Sequence, residues 1–222
     1  MGVAEIAQIL KNAVFPRFCV SCNKEGSLLC GDCFAFWQPG AMKIDESDAH
    51  IYSWQYADPV ARQLICAWKY AYDQSAWEIM RAKLLPTLST LRHLVHVQKI
   101  DAIVPVALHQ YRLCERGFDQ AVMISEFLGQ ELDLPVVPII KRVRQTGKQA
   151  ERSEQERIKE MKDNPFIISI PPPYEGGVGG GFPRSILLID DVWTTGSTIK
   201  AASDLLEKSG VQKVWKYTLA KG

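Results

Sequence analysis

The sequence predicts an α/β protein whose parallel sheet is flanked by helices. Three observations predict it. From Ile100 onward, short aliphatic runs alternate with stretches whose apolar residues recur at helical spacing, the rhythm of strands joined by crossover helices. The run Ile186-Leu187-Leu188-Ile189 is apolar at every residue rather than every second one, as a strand covered on both faces must be. With 47% hydrophobic residues in 222, the chain can bury a core of that kind.

The elements follow in order. Residues 3–14 carry Val3, Ile6, Ala7, Leu10 and Val14 at helical spacing and read as a short amphipathic helix. Residues 19–33 form a compact, loop-rich unit. Within 51–70 a strand gives way to a helix opened by Asp58-Pro59, since proline suits a first turn that has no use for its missing N–H. A second helical stretch covers about 74–95 and is perturbed at Pro86. Strands are expected at 100–106, 136–140, 166–170, 186–189 and 214–219, and helices at 119–132 and 197–208, the last closed by Gly210. Residues 141–163 hold eight Lys/Arg against five Asp/Glu, and PPPYEGGVGGGFP over 171–183 is too rich in Gly and Pro for regular structure. Both read as loops. The chain thus divides into an N-terminal helix and cysteine module, 1–40, and an α/β domain, 41–222.

A net charge of +1 gives no global field toward nucleic acid or anionic lipid, so any such affinity must be local. The first residues lack the early basic region of a secretion signal and are interrupted by Glu5, Gln8 and Lys11. No apolar run reaches the roughly 18 residues a membrane-spanning helix needs. A cytoplasmic protein without membrane insertion is expected.

Four of the six cysteines fall as two C-x-x-C pairs, Cys19/Cys22 and Cys30/Cys33, with seven residues between them. Each short turn presents two thiolates to one ion, which suits tetrahedral Zn²⁺, and a four-thiolate site is closed, hence structural. A zinc knuckle or ribbon is expected here. Phe34, Phe36 and Trp37 follow it and either dock it on the main domain or stack on single-stranded bases. Cys66 and Cys114 read as inert packing, although Cys114 falls in what reads as a loop beside Arg116, over 110–116.

The most informative stretch is Ile186-Leu187-Leu188-Ile189-Asp190-Asp191-Val192-Trp193-Thr194-Thr195-Gly196-Ser197-Thr198. A buried strand ends on two adjacent acids, at the sheet edge where α/β proteins place ligands. A Thr/Gly/Ser turn then opens a helix whose free N–H groups and positive dipole end make an anion cradle. Thr194, Thr195, Ser197 and Thr198 supply hydroxyls, and Gly196 lets the backbone come close to a phosphate. Two carboxylates beside such a cradle make sense if hydroxyls lie between them and the phosphate. A ribose 5-phosphate has that layout, its 5-phosphate in the turn and its 2- and 3-hydroxyls donating to Asp190 and Asp191. Both acids are expected to face solvent. The string resembles the fingerprint of the type I phosphoribosyltransferases, which implies their parallel-sheet fold and binding of phosphoribosyl pyrophosphate.

Upstream, VPVALHQYRLCERGFDQA over 104–121 resembles the V-P-V-P-L-H-x-x-R-x-x-x-R-G-F-N-Q-A signature of the ComF, or GntX-like, family, phosphoribosyltransferase-fold proteins with an N-terminal double C-x-x-C. The resemblance runs loosely from Pro16 to Ala220. It implies that 105–109 is the pyrophosphate loop, and Arg112 and Arg116 suit phosphate oxygens by their multiple fixed donors. His109 is either structural or catalytic. Ala107 stands where the family often has Pro, and Asp119 where it often has Asn; a carboxylate there is a poor ligand for a polyphosphate. Arg142, Thr146 and Gln149 match the family's R-x-x-x-T-x-x-Q stretch, which implies a mobile loop over the site. Ser153, Glu156 and Arg157 partly continue the match, and 150–163 reads equally as a solvated helix with charge pairs. Lys69 resembles a family lysine and either reaches a phosphate or is solvated.

The family resemblance implies a role in DNA uptake and natural transformation. Two classes of function follow. One is a sensor or adaptor that binds phosphoribosyl pyrophosphate, or a similar sugar phosphate, and engages single-stranded DNA or a DNA-processing partner protein. The other is an active phosphoribosyltransferase that moves the sugar to a nitrogen nucleophile with loss of pyrophosphate. There Asp190 and Asp191 act at the reacting sugar, and Mg²⁺ bridges the pyrophosphate oxygens.

Overall fold

The computed structural model describes residues 16–143, 164–169 and 183–222. The helix expected over 3–14, most of the charged segment 141–163 and all but the last residue of the Gly/Pro-rich stretch 171–183 lie outside them. In chain order the elements are α1 (Gly31–Phe36), β1 (Lys43–Asp45), β2 (His50–Gln55), α2 (Pro59–Tyr70), α3 (Gln74–Leu84) and α4 (Leu88–Gln98). Then come β3 (Ala102–Pro105), α5 (Gln110–Arg116), α6 (Gln120–Leu132), β4 (Ile140–Arg142), β5 (Phe166–Ile168), β6 (Ser185–Trp193), α7 (Ser197–Lys208) and β7 (Lys213–Lys221).

Among the described residues the main sheet has the order β1-β2-β7-β6-β3. β2, β7, β6 and β3 run parallel, and β1 closes the far edge as an antiparallel strand. The two long central strands are in register from Ser185↔Lys213 to Trp193↔Lys221. Because side chains alternate along a strand, β6 feeds two cores. Leu187 and Ile189 pack with Leu64 and Trp68 of α2, Met80 of α3, Leu91 of α4 and Ile124 of α6. Ile186 and Leu188 pack with Ile199 and Leu206 of α7 and with Ile140 and Phe166 of the separate β4–β5 hairpin. Helices therefore cover both faces, as the uninterrupted apolar run requires.

Local signals read from the sequence are visible in the details. Asp58 caps α2 by accepting from the Ala61 N–H at 2.9 Å, with Pro59 in the first turn. The helical stretch around 74–95 is two helices, broken at Leu85–Thr87, where Pro86 sits. Three expectations need correction. The strand expected at 136–140 does not join the sheet as a strand; only a bridge, Ile103↔Val136, is made, because Pro135 and, opposite on β3, Pro105 lack the N–H groups that would extend the ladder on either side of it. β6 runs past Ile189 to Trp193, so both acids lie within it. Residues 110–116 are a helix, α5, rather than loop.

Cys19, Leu29 and Trp37 belong to the same apolar cluster as α2, α3 and α4, so the cysteine unit and the sheet share one core. Trp37 donates from Nε1 to Asp58 at 3.1 Å, and Lys83 holds the Trp37 carbonyl at 2.8 Å. Phe34 packs under Lys83, 4.3 Å from its ring centroid. Phe36 does not take part: it is 85% exposed, pointing away from the face that Phe34 and Trp37 use.

A candidate anion and sugar site at the end of β6

The end of β6 turns into α7 through Thr194, Thr195 and Gly196. Gly196 has φ +73 and occupies the cap position of α7, a backbone shape that favours glycine. A Cβ there would lie 2.5 Å from the Trp193 ring, so the tight approach demanding glycine is made by the protein's own indole. Thr194, Thr195 and Ser197 are exposed, and Thr198 is half-buried. The Thr195 hydroxyl donates to Ser197 Oγ at 3.0 Å and accepts from the Ser197 N–H at 3.3 Å, which holds the turn open around its hydroxyls.

Asp190 and Asp191 stand before this turn, neither fully solvent-facing as expected from sequence: both are half-buried. Alternation along β6 sends them to opposite faces. Asp191 goes to the α2 side, where Lys69 pairs with it at 2.8 Å, both side chains about 15% exposed. Asp190 goes to the hairpin side and accepts from the Asp191 N–H at 2.8 Å. Its carboxyl is raised to about 7, first by burial and then by the charge of Asp191, with Lys69 and Arg142 pulling the other way. Arg142, at the end of β4, lies over the Phe166 ring at 5.5 Å, and burial lowers its basicity while Asp190 supports it. Arg112 is also within electrostatic reach of Arg142. Two acids and two cations, Lys69 and Arg142, thus meet at the end of one strand.

The segment after β3 is built on caps. His109 opens α5 by accepting the Tyr111 N–H on Nδ1 at 3.2 Å, a structural use of the ring. Arg112 and Arg116 are four residues apart on α5 and share a face. Arg116 donates to Gln120 at 3.0 Å and lies 5.9 Å from the Tyr70 ring. Asp119 caps α6 through the Ala121 and Val122 N–H groups, at 2.9 and 3.3 Å, and its second oxygen accepts the Leu108 N–H at 3.0 Å. One carboxylate therefore starts a helix and pins the loop at 105–109. Burial raises its pKa, against the three N–H groups that stabilise its charge.

In the cysteine unit, the thiols of Cys19, Cys22, Cys30 and Cys33 all lie within 4.8 Å of one another. The Cys22 and Cys30 sulfurs are 3.6 Å apart, far beyond a disulfide bond and close to the edge, about 3.8 Å, of a tetrahedron with Zn–S bonds of about 2.3 Å. The Cys19 sulfur also accepts the Cys30 N–H at 3.4 Å, the bond type that steadies a thiolate ligand. Backbone bonds from Val20 to Leu28 and from Gly26 to Arg17, at 2.9 and 2.8 Å, fold the loop that brings the pairs together. The four cysteines can hold a metal ion.

No family model matches the chain. It is 31% identical to competence protein F of Haemophilus influenzae over 215 residues, 93% of this chain and 85% of that protein. The chain belongs to the competence protein F family. It is also 26% identical to competence protein ComFC of Bacillus subtilis over 213 residues, 92% of this chain and 78% of that protein. Among solved structures it is similar to an adenine phosphoribosyltransferase, with a TM-score of 0.39 and 15% identity over 68% of this chain and 72% of that one. Family membership bears out the resemblance read from the stretch 104–121 and the double C-x-x-C. Within this member of the family, Lys69 and Arg142 are the residues the structure adds to the acid pair. Both stand in stretches that resemble the family's, but only the packing of α2 on one face of β6 and of the β4–β5 pair on the other sets them beside Asp191 and Asp190. No helix among the described residues is long and apolar enough to cross a membrane.

Proposed function

We propose that this protein binds phosphoribosyl pyrophosphate, or a related ribose phosphate, at the end of β6 and serves DNA uptake and handling in the cell. The relatives' names, competence protein F and competence protein ComFC, support the process. The observation that carries the ligand is the paired acids Asp190 and Asp191 followed by an exposed hydroxyl-lined turn at a helix start. The turn and the dipole of α7 receive the 5-phosphate. The acids accept the sugar hydroxyls, and Arg112, Arg116 and Arg142 face the pyrophosphate. Lys69 neutralises Asp191, so a polyanion meets less repulsion as it enters. Mg²⁺, a hard oxygen-seeking ion, would accompany the ligand and offset part of the pyrophosphate's negative charge. Zn²⁺ in the cysteine unit is structural, and single-stranded DNA or a partner protein is engaged elsewhere on the surface. The protein acts in the cytoplasm.

A second reading, transfer of the phosphoribosyl group to a nitrogen nucleophile, is favoured by Asp190. A half-buried carboxyl raised to about 7 can hold or release a proton near neutrality. The same side chain would stabilise positive charge developing at the sugar carbon once ionised.

Calorimetric titration of phosphoribosyl pyrophosphate with Mg²⁺ into the wild type and an Asp190→Asn, Asp191→Asn double variant tests the ligand. Asparagines keep the shape without the charge that Lys69 and Arg142 answer. Binding lost in the variant supports the reading; equal affinity in the two proteins sinks it. Release of pyrophosphate on adding nucleobases separates the enzyme from the sensor.

A further inference from the structure

The anion turn leans on a buried aromatic pair. Trp193, 5% exposed, fills the space beside Gly196, and His50 on β2, two strands away across β7, lies against it. The imidazole is wholly buried and stacks on the indole, with ring centroids 4.2 Å apart and planes 21° from parallel. Its Nε2 meets Thr218 Oγ1 at 2.9 Å. With the Thr218 hydroxyl donating to the Ala220 carbonyl, at 3.1 Å, Nε2 carries the hydrogen that Thr218 accepts. Nδ1 is then a bare acceptor, buried and without a partner among the described residues. Burial first, and then the charge of Lys221, hold the ring neutral, with its pKa lowered to about 4. Lys200 and Lys221 lie over the same indole at 5.1 and 5.5 Å and are tied to Asp48 and Asp45.

An unpartnered nitrogen in a dry site costs stability. What the ring supplies in return is a flat face whose plane is locked by the bond to Thr218, laid against the one side chain that shapes the turn. We propose that His50 is a positioning residue: by stacking on Trp193 it sets the conformation of the Gly196 turn and thereby its grip on the ligand's 5-phosphate. This rests on the ribose phosphate reading above. It assigns to β2, remote in sequence from the β6–α7 turn, control over the anion cradle.

Three variants of the full chain separate the causes. His50→Phe keeps a flat face without the Thr218 bond, His50→Gln keeps a donor without the face, and His50→Leu has neither. Two readouts are taken: backbone amide resonances of residues 195–198 without ligand, and calorimetric affinity for ribose 5-phosphate beside inorganic pyrophosphate. The Leu and Gln variants should shift or broaden the turn amides. They should weaken ribose 5-phosphate about three- to tenfold, the worth of an aromatic pair, and leave pyrophosphate unchanged. The Phe variant should keep the wild-type amide positions and bind within about twofold of wild type. Unmoved amides in the Leu variant would overturn the proposal, as would a Phe variant as impaired as Leu and Gln, or equal losses for both ligands. A wild type that ignores ribose 5-phosphate would remove the ligand reading, while the amide comparison would still decide the role of His50.

Discussion

Gly196→Ala tests the reading of the turn with an internal control. Gly196 and Gly117 share nearly the same left-handed backbone, φ +73 and +75, but a Cβ at 117 meets nothing within 4 Å whereas one at 196 would sit 2.5 Å from two Trp193 ring carbons. The backbone penalty for a non-glycine residue in that region is about 1–2 kcal/mol and applies to both. At 196 the methyl group also overlaps the indole by about 1 Å, and forcing such an overlap into a packed core adds about 1–3 kcal/mol. Trp193 cannot simply swing away, since His50 stands behind it at 4.2 Å. Gly117→Ala should therefore lose about 1–2 kcal/mol and Gly196→Ala about 2–5 kcal/mol in denaturant unfolding. Ribose 5-phosphate binding should fall further in the second variant. Equal destabilisation of the two variants would refute the claim that Trp193 packs against the turn.

Three further outcomes are expected. Cys30→Ser should abolish metal retention by elemental analysis, because the three remaining thiols leave a tetrahedral site open; a full equivalent retained would exclude a four-thiolate site. Asp190→Asn should stabilise the protein more at pH 8 than at pH 5, read from denaturation midpoints. A carboxyl raised to about 7 in the fold holds its proton longer than in the unfolded chain, so its contribution is favourable at low pH and is lost as pH rises from about 4 to about 7. An Asn variant whose advantage is independent of pH would count against that shift. Asp119→Ala removes a cap and the acceptor of the Leu108 N–H together, so unfolding should cost about 1–2 kcal/mol less, with faster amide exchange at Leu108; unchanged exchange there would dissociate the carboxylate from the loop.

Features that depend on residues close in the chain were legible in advance. Asp58-Pro59 starting a helix, the two C-x-x-C turns and the passage from a buried strand through Thr194, Thr195 and Gly196 into α7 are all set by spacing, capping chemistry and missing or free N–H groups within a few residues. Those interactions are short in sequence, so composition and period carry them. The strand misplaced at 136–140 shows the limit of the same reasoning: its apolar period was correct, but Pro135 and, on β3, Pro105 decided which backbone groups could pair.

The amino-acid sequence alone determined the fold class, the family, the cysteine quartet and the identity of the acid pair and its turn. Only the tertiary structure decided that Lys69 answers Asp191, that Arg142 lies toward Asp190, that Asp119 is a double anchor, and that His50 reaches Trp193 over Thr218. These contacts join residues up to 168 positions apart. The His50 contact follows from the strand order β2-β7-β6, and the two acid contacts from which face of β6 each carboxylate takes; neither is written in any local period of the chain.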